Sequence, residues 1–371
     1  MFNKEKINFM QLVVIVTLYI IGPSILFEPS ILVSQAKQDA WISTMLGLGI
    51  GLLVIQLYSA LGNLYPNMTL VEYTEKILGK WLGKTISLLF FIYLMILSAS
   101  VLRNIGDFIT TEFMPETPIL AIHILFMSVV IIGTRLGLES VARASEIFFP
   151  GVILLFFLIV IAIIPQGNME QIQPVLENGI KPVLKASTSF IIFPFLELIV
   201  FLMIFPFLNQ KKDFRKAVSI GAFIGGIVIF IIVALSILVL GPATTERYIY
   251  STYLLSKQIN VGDFLTRIEA VLATIWVFSI FIKLTICFYA ATLSLSKTLN
   301  LKEYSMLTYP LGMILIVLSI IVSPNIIYGL TKLPKVMELY TFTFGLFLPL
   351  LLIGVDFCRK KVNRKEIKQV K

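Results

Sequence analysis

The sequence predicts an all-α integral membrane protein of about ten transmembrane helices, arranged as two inverted halves of five with helices one and six broken in mid-membrane. Three observations carry this expectation. The chain is 58% hydrophobic and only 14% charged, where soluble domains carry about a quarter charged residues, and its mean hydropathy is +0.94. Apolar runs long enough to cross a hydrocarbon core recur along all 371 residues. The first and the sixth of these runs each place proline beside a carboxylate. A single polytopic domain over 1–371 follows, ending in a basic tail over 358–371.

A spanning helix needs about 20 apolar residues, and such runs fall at 9–34, 41–64, 85–108, 118–134, 141–164, 187–208, 217–241, 268–293, 305–323 and 338–357. The first follows Lys4 and Lys6 and shows no small-residue cleavage site, so it reads as a retained span. With the N-terminus in the cytoplasm, one set of loops collects Lys76, Lys80, Lys84, Arg135, Arg143, Lys211, Lys212, Arg215, Lys216, Lys297 and Lys302. The positive-inside rule then puts both termini on the cytoplasmic side of a bacterial inner membrane, with the lipid bilayer as the first partner. Asp107, Glu112 and Glu116 make the connection after span three acidic, which contributes little to orientation.

Two connections have structure of their own. Thr69 and Glu72 stand at capping-box spacing, and Leu70, Tyr73, Ile77 and Trp81 follow at near-helical intervals, predicting a short interfacial helix. The long connection at about 242–265 has an apolar-aromatic middle and is a candidate lid.

The formal charge of +9 is spread in short clusters between apolar runs, so it marks topology and not a nucleic-acid partner. Cys287 and Cys358 lack CxxC spacing and His123, the single histidine, has no metal-ligand company, so neither a cofactor nor a metal is expected. No nucleophile-base set, Walker loop or dinucleotide fingerprint is present, which argues against an enzyme.

Span one contains Gly22, Pro23, Ser24 and Ile25, with Glu28 and Pro29 a turn later; span six contains Phe193, Pro194, Phe195 and, a turn on, Glu197. Proline removes a backbone donor and clashes with the preceding turn, so both helices should unwind there. Prolines are also common in membrane helices as plain packing kinks. Two breaks in matched positions, each beside a carboxylate, favour a small-molecule site at the midplane, built from those residues and from Tyr93 of span three, where exposed amides and half-helix ends hold a zwitterion.

The segments GPSIL in span one, LVEYTEKILGKWLGK before span three and PFLELIVFLMIFP in span six resemble the B-subunit family of bacterial spore nutrient-germinant receptors, within the amino acid/polyamine/organocation transporter superfamily. The resemblance extends over essentially the whole chain. It implies a subunit of the spore inner membrane that senses a small nutrient, typically an amino acid, and acts with an A subunit and a lipoprotein C subunit to start germination; for an aliphatic pocket alanine is the default expectation. Members often carry glycine before the span-six glutamate where this chain has Leu196, which suggests a narrower pocket or another ligand preference. A proton-coupled amino acid symporter or exchanger, and an ion or water conduit, remain alternatives on the same scaffold.

Ionisable residues inside a membrane are costly and are functional hypotheses by default. Glu28 is a candidate ligand for an ammonium or a proton carrier, or else sits at the outer interface. Glu197 is a candidate site group or a cap for exposed amides. Glu269, Trp276 and Lys283 recur at seven-residue spacing along span eight, predicting a stripe that faces the bundle. In the fold that the resemblance implies, Lys283 replaces the sodium ion that some relatives hold near the first break; alternatively it forms a structural ion pair with Glu28, Glu197 or Glu269. Arg103 and Asp107, one turn apart, read as a local pair snorkelling to the interface, and Ser100 is a further candidate cavity residue.

Overall fold

Asn8 starts the first helix. Its side chain accepts from the Gln11 N–H (2.8 Å) while Gln11 Oε1 accepts from the Asn8 N–H (2.9 Å), a reciprocal cap that satisfies two otherwise orphaned donors. The computed structural model describes residues 6–258 and 268–369, with side chains described for 6–258 and 269–361. In chain order the helices are α1 (Phe9–Ile21), α2 (Ser24–Ala36), α3 (Ala40–Leu64), α4 (Leu70–Leu78), α5 (Lys80–Glu112), α6 (Ile119–Leu136), α7 (Leu138–Ile163) and α8 (Ile180–Phe190). They continue with α9 (Phe201–Ile204), α10 (Phe214–Arg247), α11 (Ser251–Lys257), α12 (Ile268–Thr298), α13 (Thr308–Val322), α14 (Ile326–Thr331), α15 (Leu333–Phe342) and α16 (Leu348–Gln369).

Among the described residues, nine helical stretches are long and apolar enough to cross a membrane. One of them, Ser24–Leu64, contains the second half of span one and all of span two, and the short apolar α1 supplies the first half of span one. The apolar runs of the sequence therefore map onto ten passes, two inverted sets of five.

The two breaks differ in kind. At Gly22 the backbone leaves helical space altogether (φ 6°, ψ −124°) and Pro23 restarts the chain as α2. Span six stays coiled: Pro194 sits in a wide π-type turn, Ile191–Phe195, followed by a tight 3₁₀ turn, Leu196–Val200. Proline lacks the amide that an α-turn needs, and a change of winding absorbs that loss without an extended segment.

A membrane interior offers no water to a carbonyl that proline has stranded. Each of three prolines frees the carbonyl four residues before it, and each carbonyl has a partner from elsewhere in the chain. Pro29 strands Ile25, whose carbonyl accepts from Thr252 Oγ1 at 2.6 Å. Pro242 strands Leu238, which accepts from the Asn168 N–H at 2.9 Å. Pro349 strands Gly345, which accepts from the Tyr58 hydroxyl at 2.7 Å, and the same hydroxyl lies 2.9 Å from the Leu196 carbonyl in the span-six turn. Tyr58 thus ties spans two, six and ten together. A side chain at position 345 would have its Cβ only 2.8 Å from the Leu196 backbone and side chain, so glycine is required there.

The end of the bundle that carries the chain ends is closed. Ile7 forms a parallel bridge to the segment after span six, donating to the Phe207 carbonyl and accepting from the Asn209 N–H, each at 3.0 Å. Gln11 Nε2 donates to Glu146 of α7 at 3.1 Å. The interfacial helix α4 follows its predicted capping box, and Leu70, Tyr73 and Ile77 are buried. Trp81 departs from the predicted stripe: Gly79, at φ 90°, ends α4, so Trp81 begins the next helix and is 89% exposed. At the opposite end α11 is docked, with Tyr250 and Tyr253 buried around Phe108; residues 259–265 of the candidate lid lie outside the described residues.

Two outcomes are expected. Tyr58→Phe leaves two buried carbonyls without their donor and should lower stability by about 1–3 kcal/mol, read as a lower melting temperature in detergent; an unchanged value would mean that another donor serves them. Glu72 on α4 lies outside the spans, and although burial alone raises its carboxyl, the Lys297 ammonium at 2.8 Å and the Thr69 N–H and hydroxyl hold it below the ordinary 4.5. A depressed carboxyl stabilises the fold above its unfolded-state value and stops doing so as pH falls through the native one. Glu72→Gln should therefore melt earlier than wild type at neutral pH, and the difference should shrink as pH falls below the ordinary carboxylate range. A pH-independent difference would assign the effect to packing.

Candidate functional site

A cavity of about 110 Å³ lies between α2, the second half of α5, the span-six turn, α12 and the segment Gly329–Met337 that leads into span ten. Its volume lies below the roughly 300–1,000 Å³ typical of sites for drug-sized ligands. The polar part of its wall is Ser24, Glu28, Ser100, Asn104, Glu197 and Lys283. Ser24 is the first residue of α2, so the wall includes a helix N-terminus with its partial positive charge.

Lys283 Nζ lies 2.6 Å from Glu197 Oε2, and each side chain is only 4% exposed. The ammonium also stands 4.8 Å from the centre of the Tyr19 ring, and its aliphatic stem runs beside Gly22 at the first break. Of the partners open to Lys283 from the sequence, the fold selects Glu197, because the tight turn after Pro194 carries that carboxylate towards α12. Glu28 is 2% exposed, so it is inside the protein and not at an interface, and its Oε2 has no hydrogen-bond partner among the described residues. Two carboxylates and one ammonium thus line one cavity.

Of the residues singled out in the sequence, the structure brings Pro23, Ser24, Glu28, Ser100, Phe193, Glu197 and Lys283 together around this cavity. Five others stand behind it. Gly22 caps α1, donating its N–H to the Leu18 carbonyl at 2.9 Å. Ile25 is buried and occupied by Thr252. Tyr93 stacks on Phe344 of span ten with ring centres 5.1 Å apart and places its hydroxyl 3.3 Å from Thr341 Oγ1. Pro194 is buried within the π-type turn, and Phe195 lies edge-on to Phe190 with its ring over Gly51. Leu196 also points away from the cavity, against Gly345, so the larger residue at that position fills a helix contact and leaves the cavity wall unchanged.

Sequence reasoning missed Asn104 and the segment Gly329–Met337, which precedes the apolar run at 338–357. Leu97, Ser100 and Asn104 do recur at three- and four-residue spacing, one face of a helix. The segment before span ten gave no such signal, since Lys332, Pro334 and Lys335 interrupt it. Arg103 and Asp107 form their expected pair at 2.8 Å, but with side chains 9% and 12% exposed they are covered by protein and do not snorkel outwards. Trp276 and Lys283 are buried in the bundle, while Glu269 is half-buried. His123 is buried with a ring nitrogen 2.9 Å from Ser319 Oγ, and Cys287 Sγ lies 3.3 Å from the Tyr19 hydroxyl.

Breaking a buried ion pair by removing one partner typically costs about 3–5 kcal/mol, because the other charge is left uncompensated. Lys283→Met should therefore sharply reduce the melting temperature and the folded yield, and Lys283→Met with Glu197→Gln should restore most of both. If the double variant is as unstable as the single one, the pair is not what holds α12 against span six.

The chain matches the family described as spore germination protein over residues 6–327. It is 34% identical to spore germination protein KB of Bacillus subtilis strain 168, over 98% of each chain. It is 29% identical to spore germination protein YndE of the same organism, over 96% of this chain and 98% of that one. Among solved structures, MhsT in complex with L-phenylalanine has the same fold, with a TM-score of 0.73 at 13% identity, covering 95% of this chain and 89% of that one. Mhp1, a nucleobase-cation-symport-1 family transporter, gives 0.66 at 11% identity over 91% and 79% of the two chains. The fold is shared with MhsT and with the transporter Mhp1, and the chain belongs to the spore germination protein family.

Proposed function

We propose that this chain is the B subunit of a nutrient germinant receptor, and that its cavity binds a small nutrient, an amino acid, to trigger germination together with A and C partner subunits. The observation that carries the reading is a small cavity with charges of both signs on its wall, placed between the first break and the span-six turn. A zwitterion matches such a wall: its carboxylate is favoured at the α2 N-terminus, whose first amides have no acceptor within the helix, and its ammonium at a carboxylate. The relatives named as spore germination proteins, aligned along nearly the full chain, support germination as the process.

A ligand shifts a conformational equilibrium only by its difference in affinity for the two states. Here the cavity lies towards the end of the bundle away from the termini, while the termini end is closed by the Ile7 bridge and the Gln11 contact. Ligand binding that draws span six towards span one would load that closure, and partner subunits would read the change. The concentration of Lys76, Lys80, Lys211, Lys212, Lys297 and Arg359 at the closed end supports a cytoplasmic placement of both termini in the spore inner membrane.

Proton-coupled transport is the second reading, favoured by a fold shared with symporters. Binding and flux of a labelled amino-acid panel on the purified chain in proteoliposomes, with and without a proton gradient, separate the two. Saturable binding without gradient-driven uptake is the expected outcome, whereas concentrative uptake driven by protons would make the chain a transporter. Ser24→Trp, which fills the cavity, should abolish binding at unchanged abundance; retained binding would move the site elsewhere.

A further inference from the structure

Gly79, at φ 90°, turns the chain through a sharp corner between α4 and α5. The two helices meet closely there, since a side chain at Gly83 would bring its Cβ to 2.4 Å from the Glu75 Cα. The corner projects Lys80, Trp81 and Leu82, all exposed, with Lys84 half-buried one turn on. At 89%, Trp81 is the most exposed large hydrophobic side chain among the described residues. Lys80 and Lys84 stand four apart on one face of α5, and neither forms an ion pair among the described residues. The acidic residues of the corner face α12 and the connection after it: Glu72 holds Lys297 at 2.8 Å, and Glu75 lines a polar groove with Lys297, Asn300 and Lys302.

An indole carries a large apolar surface and a polar N–H, so it favours a boundary that is apolar on one side and wet on the other. Trp81 lies four residues before the apolar run at 85–108, about 6 Å along the helix axis. That is the headgroup level of a leaflet whose polar region is about 5–7 Å thick. Trp81 also heads an exposed stripe that continues through Leu88 and Ile92 at helical spacing into the hydrocarbon, with Leu82 and Leu89 exposed beside it. These side chains are all large, whereas packed helix pairs in membranes favour small residues at the contact. Lipid, and not another helix, is the surface that fits this face. The charge next to the indole is of one sign only, and lysine stems reach from such a position to the phosphate level.

We infer that Lys80, Trp81 and Lys84 form a binding site for an anionic phospholipid of the leaflet at the termini end, with the indole in the interface and the two ammonium groups on the headgroup. The consequence reaches beyond the corner. Through Glu72 with Lys297, and through the Lys76 carbonyl with Arg359, α4 is joined to the ends of spans eight and ten. A lipid held at the corner therefore fixes that brace to the membrane surface, and the headgroup charge of the leaflet bears on both span ends.

The test is fluorescence quenching of Trp81 in the purified full chain, reconstituted in nanodiscs of phosphatidylcholine and phosphatidylglycerol in equal amounts, with one or the other lipid brominated near the headgroup end of its chains. Subtracting the signal of Trp81→Phe removes the contributions of Trp41 and Trp276. The expected result is quenching by both lipids, with phosphatidylglycerol favoured by at least about fivefold in apparent affinity, the order that one lysine near an anionic surface contributes. The preference should disappear in Lys80→Gln with Lys84→Gln, persist in Lys80→Arg with Lys84→Arg, and shrink in high salt. Equal quenching by the two lipids in wild type would overturn the anionic-headgroup assignment and leave Trp81 a plain interfacial anchor. A preference that survives the double glutamine variant would overturn the assignment to these lysines. Quenching by neither lipid would place Trp81 outside the bilayer and make the corner a docking surface for a protein. Should the double glutamine variant melt early, the two single variants carry the comparison, each with part of the loss.

Discussion

In a hydrocarbon slab every backbone amide and carbonyl must find its partner within the protein, and this constraint organises the molecule. A straight α-helix satisfies it alone. This chain places prolines within its helices and then supplies the donors they remove from distant parts of the sequence: a threonine for Ile25, a backbone amide for Leu238, a tyrosine hydroxyl for Gly345. Each of these contacts joins segments far apart in the chain, so the irregular points of the helices double as the ties between them. Tyr58 is the clearest case, since one hydroxyl serves both the rewound part of span six and the carbonyl freed in span ten.

The breaks also bring polar groups to a depth where they would otherwise be expensive. The tight turn after Pro194 carries Glu197 to Lys283, and the restart at Pro23 presents both Ser24 and Glu28 to the same cavity. A pair such as Lys283 with Glu197 adds little net stability compared with well-packed apolar residues, but it makes the register of α12 against span six strongly specified, because any slip strands a charge. Glu28, on the same wall, is buried, with Oε2 lacking a hydrogen-bond partner among the described residues. Structure and chemistry therefore depend on the same few residues.

At the termini end, α4 is fixed from two directions. Glu72 holds Lys297 at the end of span eight, and the Arg359 guanidinium donates to the Lys76 carbonyl at 3.4 Å from the end of span ten. Tyr65, between spans two and three, donates to Asp356 at 2.7 Å with the Lys76 ammonium 4.6 Å from its ring centre. The amphipathic helix is thus a brace between the ends of two spans that belong to the second half, and movement of either is transmitted to it. At the opposite end the connection before span six plays the corresponding part, with the Leu176 N–H donating to Asp39 and Gln38 donating to the Pro174 carbonyl, each at 2.9 Å.

What the sequence determined by itself follows from local physics. Hydrophobic length gives the spans, capping spacing gives the start of α4, and proline gives the positions of both breaks, because each depends only on neighbours along the chain. Carboxylates one turn from those prolines were legible as site candidates for the same reason. Which of them pairs with Lys283, why Tyr93 and Phe195 stand behind the cavity while Asn104 and Met337 line it, and why Leu196 needs Gly345, were decided only when spans far apart in sequence packed together. Periodicity states that a residue lies on an inward face; it does not state which helix meets that face. In a bundle whose interior is apolar throughout, that choice is made by close packing and by the few polar contacts that permit a single arrangement.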